Sequence, residues 1–296
     1  MKIIGFVAAS ILGVLFSCKP DKKTADVNSN DTTMSVTTRD LKKSNRIKGP
    51  SGLLYVEDGG EGGIPVLFAH SFGGNTTQWE NQREHLEGER RVVTFDFREH
   101  GQSEAPADKN FSAQAMADDI AAVADSLKLG RFVLIGHSQG GSAAIAYASA
   151  HPDRVAGLVL AGTPGKSDPE QAKQVVSSLK TDAYQKVMDQ YMARLLTDAK
   201  PEVNSAVSKD VKKISRETSI KIIESLFQYD PIPDLKAYKG PVLIISTSSE
   251  DSQPNTLASQ LPDIDHKTIA GTSHWSQLDK PEEFNRILDE FLKTIK

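Results

Sequence analysis

The sequence predicts an α/β protein in which a mostly parallel central sheet is covered by helices on both faces. Two observations carry this expectation. From about Asn45 to the C-terminus, short apolar runs alternate with stretches of helical periodicity, and strand, helix and strand in series return the chain to parallel strands through crossovers. Several of the runs are apolar on consecutive positions, as strands buried on both faces are. The size is compatible: 296 residues, 38% of them hydrophobic and 25% charged, bury one large core and argue against wholesale disorder. With 35 Lys and Arg against 39 Asp and Glu the formal charge is −4. No basic stripe is dense enough to follow a phosphate backbone, so no nucleic-acid partner is expected. A single cysteine excludes an intrachain disulfide and a cysteine-based zinc cluster.

The beginning of the chain reads as an address. Lys2 precedes an apolar run from Ile3 to Phe16, then come Ser17 and Cys18, and beyond them the chain turns polar. That is signal-peptide grammar over residues 1–17, and the run is shorter than the ~20 residues that cross a bilayer. Leu15-Phe16-Ser17-Cys18 resembles the lipobox of bacterial lipoproteins. The resemblance implies lipidation of Cys18, cleavage before it, and an exported protein of the bacterial cell envelope held to a membrane by that lipid. A soluble periplasmic or secreted protein is the alternative. Residues 18–44, rich in Asn, Ser, Thr, Asp and Lys, have almost nothing to bury and read as a flexible tether.

One domain is expected over 45–296. Its strands are read at Leu53–Val56, Pro65–Ala69, Arg91–Phe95, Phe132–Ile135, Val155–Ala161, Val242–Ser246 and Lys267–Ile269, each a short apolar run. Helices are read at Ala113–Leu127, Gln139–Ala150, Gln171–Leu179, Tyr184–Leu196, Ser219–Tyr229 and Glu282–Thr294 from their periodicity. Between Thr163 and about Asp234 only helical signals occur, which predicts a helical lid inserted over the sheet at about residues 164–235. Ser167-Asp168-Pro169-Glu170 has the S-x-x-E capping-box pattern with proline in the first turn. Met188, Tyr191, Met192, Leu195 and Leu196 form one apolar helix face.

Gly136-His137-Ser138-Gln139-Gly140 follows an apolar strand and precedes a helix of small residues. This is G-x-S-x-G in the strand, turn and helix setting that presents a serine Oγ above a sheet. The glycines relieve steric collision around a sharp turn, and the helix N-terminus offers a backbone N–H, that of Gln139, to a developing oxyanion. Here the sequence resembles the α/β-hydrolase superfamily, specifically its lidded serine hydrolases and esterases, from about Ser51 to Lys296. His70-Ser71-Phe72-Gly73-Gly74 is similar to the family's oxyanion loop with Ser71 in place of a glycine, which implies a second N–H from Phe72. Asp96-Phe97-Arg98-Glu99-His100-Gly101-Gln102-Ser103 is similar to a buttressing turn of the family, with Glu99 in place of a glycine.

A serine is a weak nucleophile and needs a base within hydrogen-bond reach. His274, in Gly271-Thr272-Ser273-His274-Trp275 after the last strand, stands where the family places it. His70, His137 and His151 need no catalytic role. The acid belongs between serine and histidine in chain order, after Val242–Ser246, and Glu250 or Asp251 supplies it. Comparison with the family pattern from Pro241 and back from Pro254 favours Glu250. The family's other location for the acid, after Val155–Ala161, holds Gly162-Thr163-Pro164 and no carboxylate. The expected function is hydrolysis of a carboxylic ester or similar acyl compound through Ser138, His274 and the acid, with no cofactor and no metal. A C–C hydrolase, lactonase or perhydrolase on the same residues is the alternative within enzymes, and a non-catalytic ligand-binding member of the fold is the alternative outside them.

Overall fold

The computed structural model describes residues 43–296. Eight strands of this part form one sheet in the order β1-β2-β4-β3-β5-β6-β7-β8. The strands are β1 Lys43–Lys48, β2 Leu53–Gly59, β3 Val66–Ala69, β4 Val92–Phe95, β5 Phe132–His137, β6 Val155–Ala161, β7 Val242–Thr247 and β8 Asp265–Ile269. β2 pairs antiparallel with β1 and with β4, and the remaining pairings are parallel. The expected signal segment 1–17, Cys18 and the tether as far as residue 42 lie outside the described residues. β1 has no apolar run to announce it and starts two residues before the domain was expected to begin.

The consecutive apolar runs are where the sheet is deepest: every residue of β3, β4, β5 and β6 is buried. Side chains alternate between faces along a strand, so each run feeds two cores. Leu67, Phe132, Leu134 and Leu158 join Ile120 and Tyr147 on one side. Val66, Phe68, Val133 and Ile135 join Leu86, Phe284 and Leu288 on the other. The first core is closed by α2 (Ala113–Ser126) and α3 (Gln139–Ala150), the second by α1 (Glu80–Leu86) and α12 (Pro281–Leu292). Fully burying a side chain of this size contributes about 1.5–3 kcal/mol.

Between β6 and β7 come five helices: α4 Pro169–Leu179, α5 Tyr184–Leu195, α6 Pro201–Val211, α7 Arg216–Gln228 and α8 Pro231–Ala237. The capping box expected at Ser167 is not formed. Asp168 is the N-cap of α4 and accepts from the N–H of Gln171, because proline at the next position fixes the first helical residue one place later than Ser167 requires. α4, α5 and α7 share an apolar cluster in which Leu179, Met188, Ile222 and Ile223 surround Phe72 and Phe111. Leu196, Val203 and Val207 pack on Trp275. The insertion therefore rests on the loop after β3 and on the residue that follows His274. Two one-turn helices, α9 Ser248–Asp251 and α10 Leu257–Gln260, follow β7, and α11 Ser276–Asp279 precedes α12.

Candidate active site

β5 ends at His137 and α3 begins at Gln139, leaving Ser138 alone on the turn with φ 54° and ψ −115°. A non-glycine residue there is strained, by on the order of 1–3 kcal/mol. Close packing makes the flanking glycines obligatory. A Cβ at Gly136 would lie 2.5 Å from the Gly140 oxygen, and one at Gly140 would lie 2.4 Å from the Ala69 oxygen. Gln139 is the first residue of α3, so its N–H has no carbonyl within the helix to reach.

His274 is held by its main chain and by its ring. Its N–H donates to the Leu195 oxygen at the end of α5 (3.0 Å). Its carbonyl accepts from His137 Nε2 (2.9 Å), whose Nδ1 in turn accepts from Gln277 (3.2 Å). His274 Nδ1 lies 2.5 Å from Glu250 Oε1. A carboxylate there draws the proton to Nδ1 and leaves Nε2 bare as an acceptor. Nε2 is buried and makes no hydrogen bond among the described residues.

Glu250 is fixed in turn by Thr247. The Thr247 N–H donates to Glu250 Oε2 (2.9 Å), and the Thr247 hydroxyl accepts from the Glu250 N–H (3.3 Å), a closed capping box at the start of α9. Asp251, one residue on, faces elsewhere. Its Oδ1 accepts from Ser246 Oγ (2.5 Å) and its Oδ2 from Thr268 Oγ1 (2.6 Å), while Ser246 Oγ also lies 2.5 Å from His266 Nε2. Of the two acids left open by the sequence, it is Glu250 whose carboxylate meets His274.

The residues around this group explain themselves by packing and hydrogen bonding. Ser71 donates to Gln78 Oε1 (3.0 Å) and accepts from Trp275 Nε1 (3.2 Å), which ties the loop after β3 to the neighbour of His274. Glu99 takes φ 58°, and its carboxylate accepts from Thr218 of α7 (2.6 Å) and from Lys109 (2.9 Å). Arg98 makes a buried two-pronged pair with Asp119 (2.9 and 2.7 Å). Asp96 accepts from the N–H groups of Thr76 and Gln102, and burial pushes its carboxyl up to about 6. Burial lowers His100 to about 4 and brings His70 and His137 well below the ordinary imidazole value. All three are neutral at pH 7, in keeping with structural places.

Ser138, His274 and Glu250 line one cavity of about 150 Å³ together with Tyr191, Arg194 and Phe227 of the insertion. Phe72 and Gln139 do not line it with their side chains. The Phe72 ring is buried in the insertion's apolar cluster, and Gln139 lines another pocket, with Met116 and Leu226. Three contributors were given no role at the site by the sequence reading. Thr247 was readable, since Thr247-Ser248-Ser249-Glu250 is itself a T-x-x-E capping box. Arg194 and Gly162 carry no local signal. At Gly162, with φ 52°, a Cβ would stand 2.8 Å from His274 Cε1 and 3.1 Å from Glu250 Oε1.

Comparisons with known proteins agree with the fold. Residues 64–281 match the sequence profile of the alpha/beta hydrolase fold. The chain is 29% identical over 258 residues, 82% of its own length and 96% of the other, to RutD of Caulobacter vibrioides, provisionally named a carbamate hydrolase. To 3-oxoadipate enol-lactonase 2 of Acinetobacter baylyi it is 26% identical over 237 residues, 77% of this chain and 88% of the other. Among solved structures it is similar to a thermophilic esterase from Thermogutta terrifontis, determined with malate bound, at TM-score 0.71 and 26% identity, covering 85% of this chain and 98% of that one. These relatives are hydrolases with different substrates. Profile, sheet order and serine turn together identify the chain as a member of the alpha/beta hydrolase fold family.

Proposed function

We propose that the protein is a serine hydrolase of carboxylic esters or similar acyl compounds. One observation carries the reading: His274 is clamped by Glu250 at Nδ1 with its Nε2 left without a partner, and His274 lines the same cavity as Ser138. In the proposed reaction Ser138 Oγ attacks the carbonyl carbon as His274 Nε2 takes its proton. The N–H groups of Gln139 and Phe72 stabilise the resulting oxyanion. When the tetrahedral intermediate collapses, the His274 proton passes to the leaving alcohol and an acyl-Ser138 remains. Water, deprotonated by His274, then releases the acid and restores the hydroxyl. The helical insertion acts as the lid that keeps bulk water from this cavity.

The test is labelling with a fluorophosphonate, together with burst release of nitrophenol from an acyl ester. Wild type is expected to label at Ser138 and to show a burst. Absence of both from folded protein removes the reading and leaves the ligand-binding alternative. A second reading, a lactonase or C–C hydrolase on the same residues, is favoured by Arg194. This cation lines the cavity and makes no ion pair or hydrogen bond among the described residues, and it suits an acyl compound that carries a carboxylate, as an oxoadipate lactone does. Faster turnover of carboxylated lactones than of neutral nitrophenyl esters selects that reading.

The pattern of residues 1–18 supports export and anchoring through a lipid on Cys18 as part of the same proposal. Mass spectrometry of the mature N-terminus checks it. An unmodified thiol on Cys18 or an N-terminus beyond it points to a soluble exported enzyme.

A further inference from the structure

A second cavity, a groove of about 460 Å³ open to solvent, lies against α4 and α7. It does not include Ser138, but Phe227 and Ser167 line both it and the cavity that does. These two residues are thus the wall between the chambers, and the bulk of that wall is the Phe227 ring. Phe227 sits in the last turn of α7, half-buried, and packs with the apolar cluster that contains Ile222 and Ile223. Packing alone holds the ring in place.

The two chambers differ in what they suit. The inner one, about 150 Å³, equals about five water volumes and suits a short acyl group. The outer one offers Ala172, Val176 and Tyr229 beside the Phe227 ring. Lys166 and Lys180 on its wall are already paired with Asp230 (2.9 Å) and Glu224 (2.8 Å). Lys173, Ser177 and Gln228 also stand on its rim, and the patch of Ala172, Val176 and the Phe227 ring between these polar groups is a surface for an alkyl chain.

We infer that Phe227 sets the acyl length this enzyme accepts, by closing a short-acyl chamber around Ser138 off from a second chamber able to hold the rest of a medium-length chain. The inference rests on the serine-hydrolase reading above. Removal of the ring joins the chambers, so an acyl chain attached at Ser138 runs through the former wall and lies along Val176.

The experiment is a chain-length series of nitrophenyl esters, acetate, butyrate and octanoate, with kcat/KM measured for wild type, Phe227→Ala, and Phe227→Ala combined with Ala172→Trp. Wild type is expected to prefer butyrate over octanoate by about tenfold or more, the range that a few methylenes earn or lose in a fitted pocket. Phe227→Ala is expected to raise the octanoate-to-butyrate ratio at least about tenfold. The added tryptophan, which blocks the outer chamber beside Val176, is expected to return the ratio to the wild-type value. A ratio in Phe227→Ala within about twofold of wild type, or a gain that survives the tryptophan, overturns the inference. Should Phe227→Ala not fold, Phe227→Leu keeps the apolar contact and carries the same test at smaller amplitude. Fluorophosphonate labelling separates the two levels of failure. A labelled Ser138 with an unmoved ratio rejects only the partition, whereas an unlabelled wild type that turns over no ester rejects the serine-hydrolase reading and the partition with it.

Discussion

Two sets of serine, histidine and carboxylate stand side by side in this molecule, their acids adjacent on α9. In one, Asp251 accepts from Ser246 and Thr268, and Ser246 Oγ bridges Asp251 to His266. Each of these polar groups is spent on another, and Ser246 lies on a regular strand. In the other, Glu250 reaches the His274 ring at Nδ1 and the Thr247 N–H with its second oxygen, Nε2 is left bare, and Ser138 is held on a strained turn. The same three residue types therefore make a cross-brace in one place and a candidate reaction centre in the other. Ser246 lines the same cavity as Ser138, so what separates the two sets is unspent hydrogen-bonding capacity, not composition or place.

Breaking the reactive set at its nucleophile has the largest expected effect. Ser138→Ala is expected to abolish fluorophosphonate labelling and lower kcat by roughly 10⁴-fold or more, with Tm retained, since only an oxygen leaves. Next comes Glu250→Gln, expected to cost about 10²–10⁴ in kcat because an amide no longer holds the imidazole in the required tautomer. A loss below tenfold would detach Glu250 from His274. Gly162→Ala disturbs the same set without removing a polar atom. Its methyl group pushes on the His274 ring, and displacement by a fraction of an ångström to one ångström is expected to cost about 10² in kcat/KM.

The bracing set should respond in a different currency. Asp251→Asn is expected to lower kcat by less than about tenfold and to cost about 1 kcal/mol in stability, read as a shift in Tm, because the lost bonds are to a charged but part-exposed carboxylate. His266→Gln is expected to be smallest, within about 0.5 kcal/mol and without effect on kcat/KM. A larger kinetic loss in Asp251→Asn than in Glu250→Gln would exchange the roles of the two sets.

Most of the sheet was legible because burial on both faces writes itself as consecutive apolar residues. Val155–Ala161 was read with the bounds it has, and β3 to β5 within two residues of theirs. β1 was not legible. Lys43-Ser44-Asn45-Arg46-Ile47-Lys48 is polar because it lies at the sheet's edge, and its pairing with β2 depends on backbone bonds that leave no trace in side-chain type. β8 was read short for a related reason, as four of its five residues are exposed. In the insertion, α6 and α8 start at Pro201 and Pro231 after polar stretches and escaped the periodicity reading. At the candidate site, Ser138 and His274 announce themselves through glycines and chain order. The choice between Glu250 and Asp251 does not, since it turns on which way a one-turn helix directs two adjacent side chains. Thr247 decides that direction by closing the capping box on Glu250.

Gly162 carries a consequence for how such a protein changes over generations. The family offers two homes for the acid, one after β6 and one after β7, and here a side chain at residue 162 would occupy the space of the His274–Glu250 pair. A carboxylate at residue 162 itself cannot share this space with the pair as it stands, so a substitution of Gly162 is expected to displace His274 or Glu250 and not to be neutral alone. The absence of a side chain there is what leaves the pair room to meet.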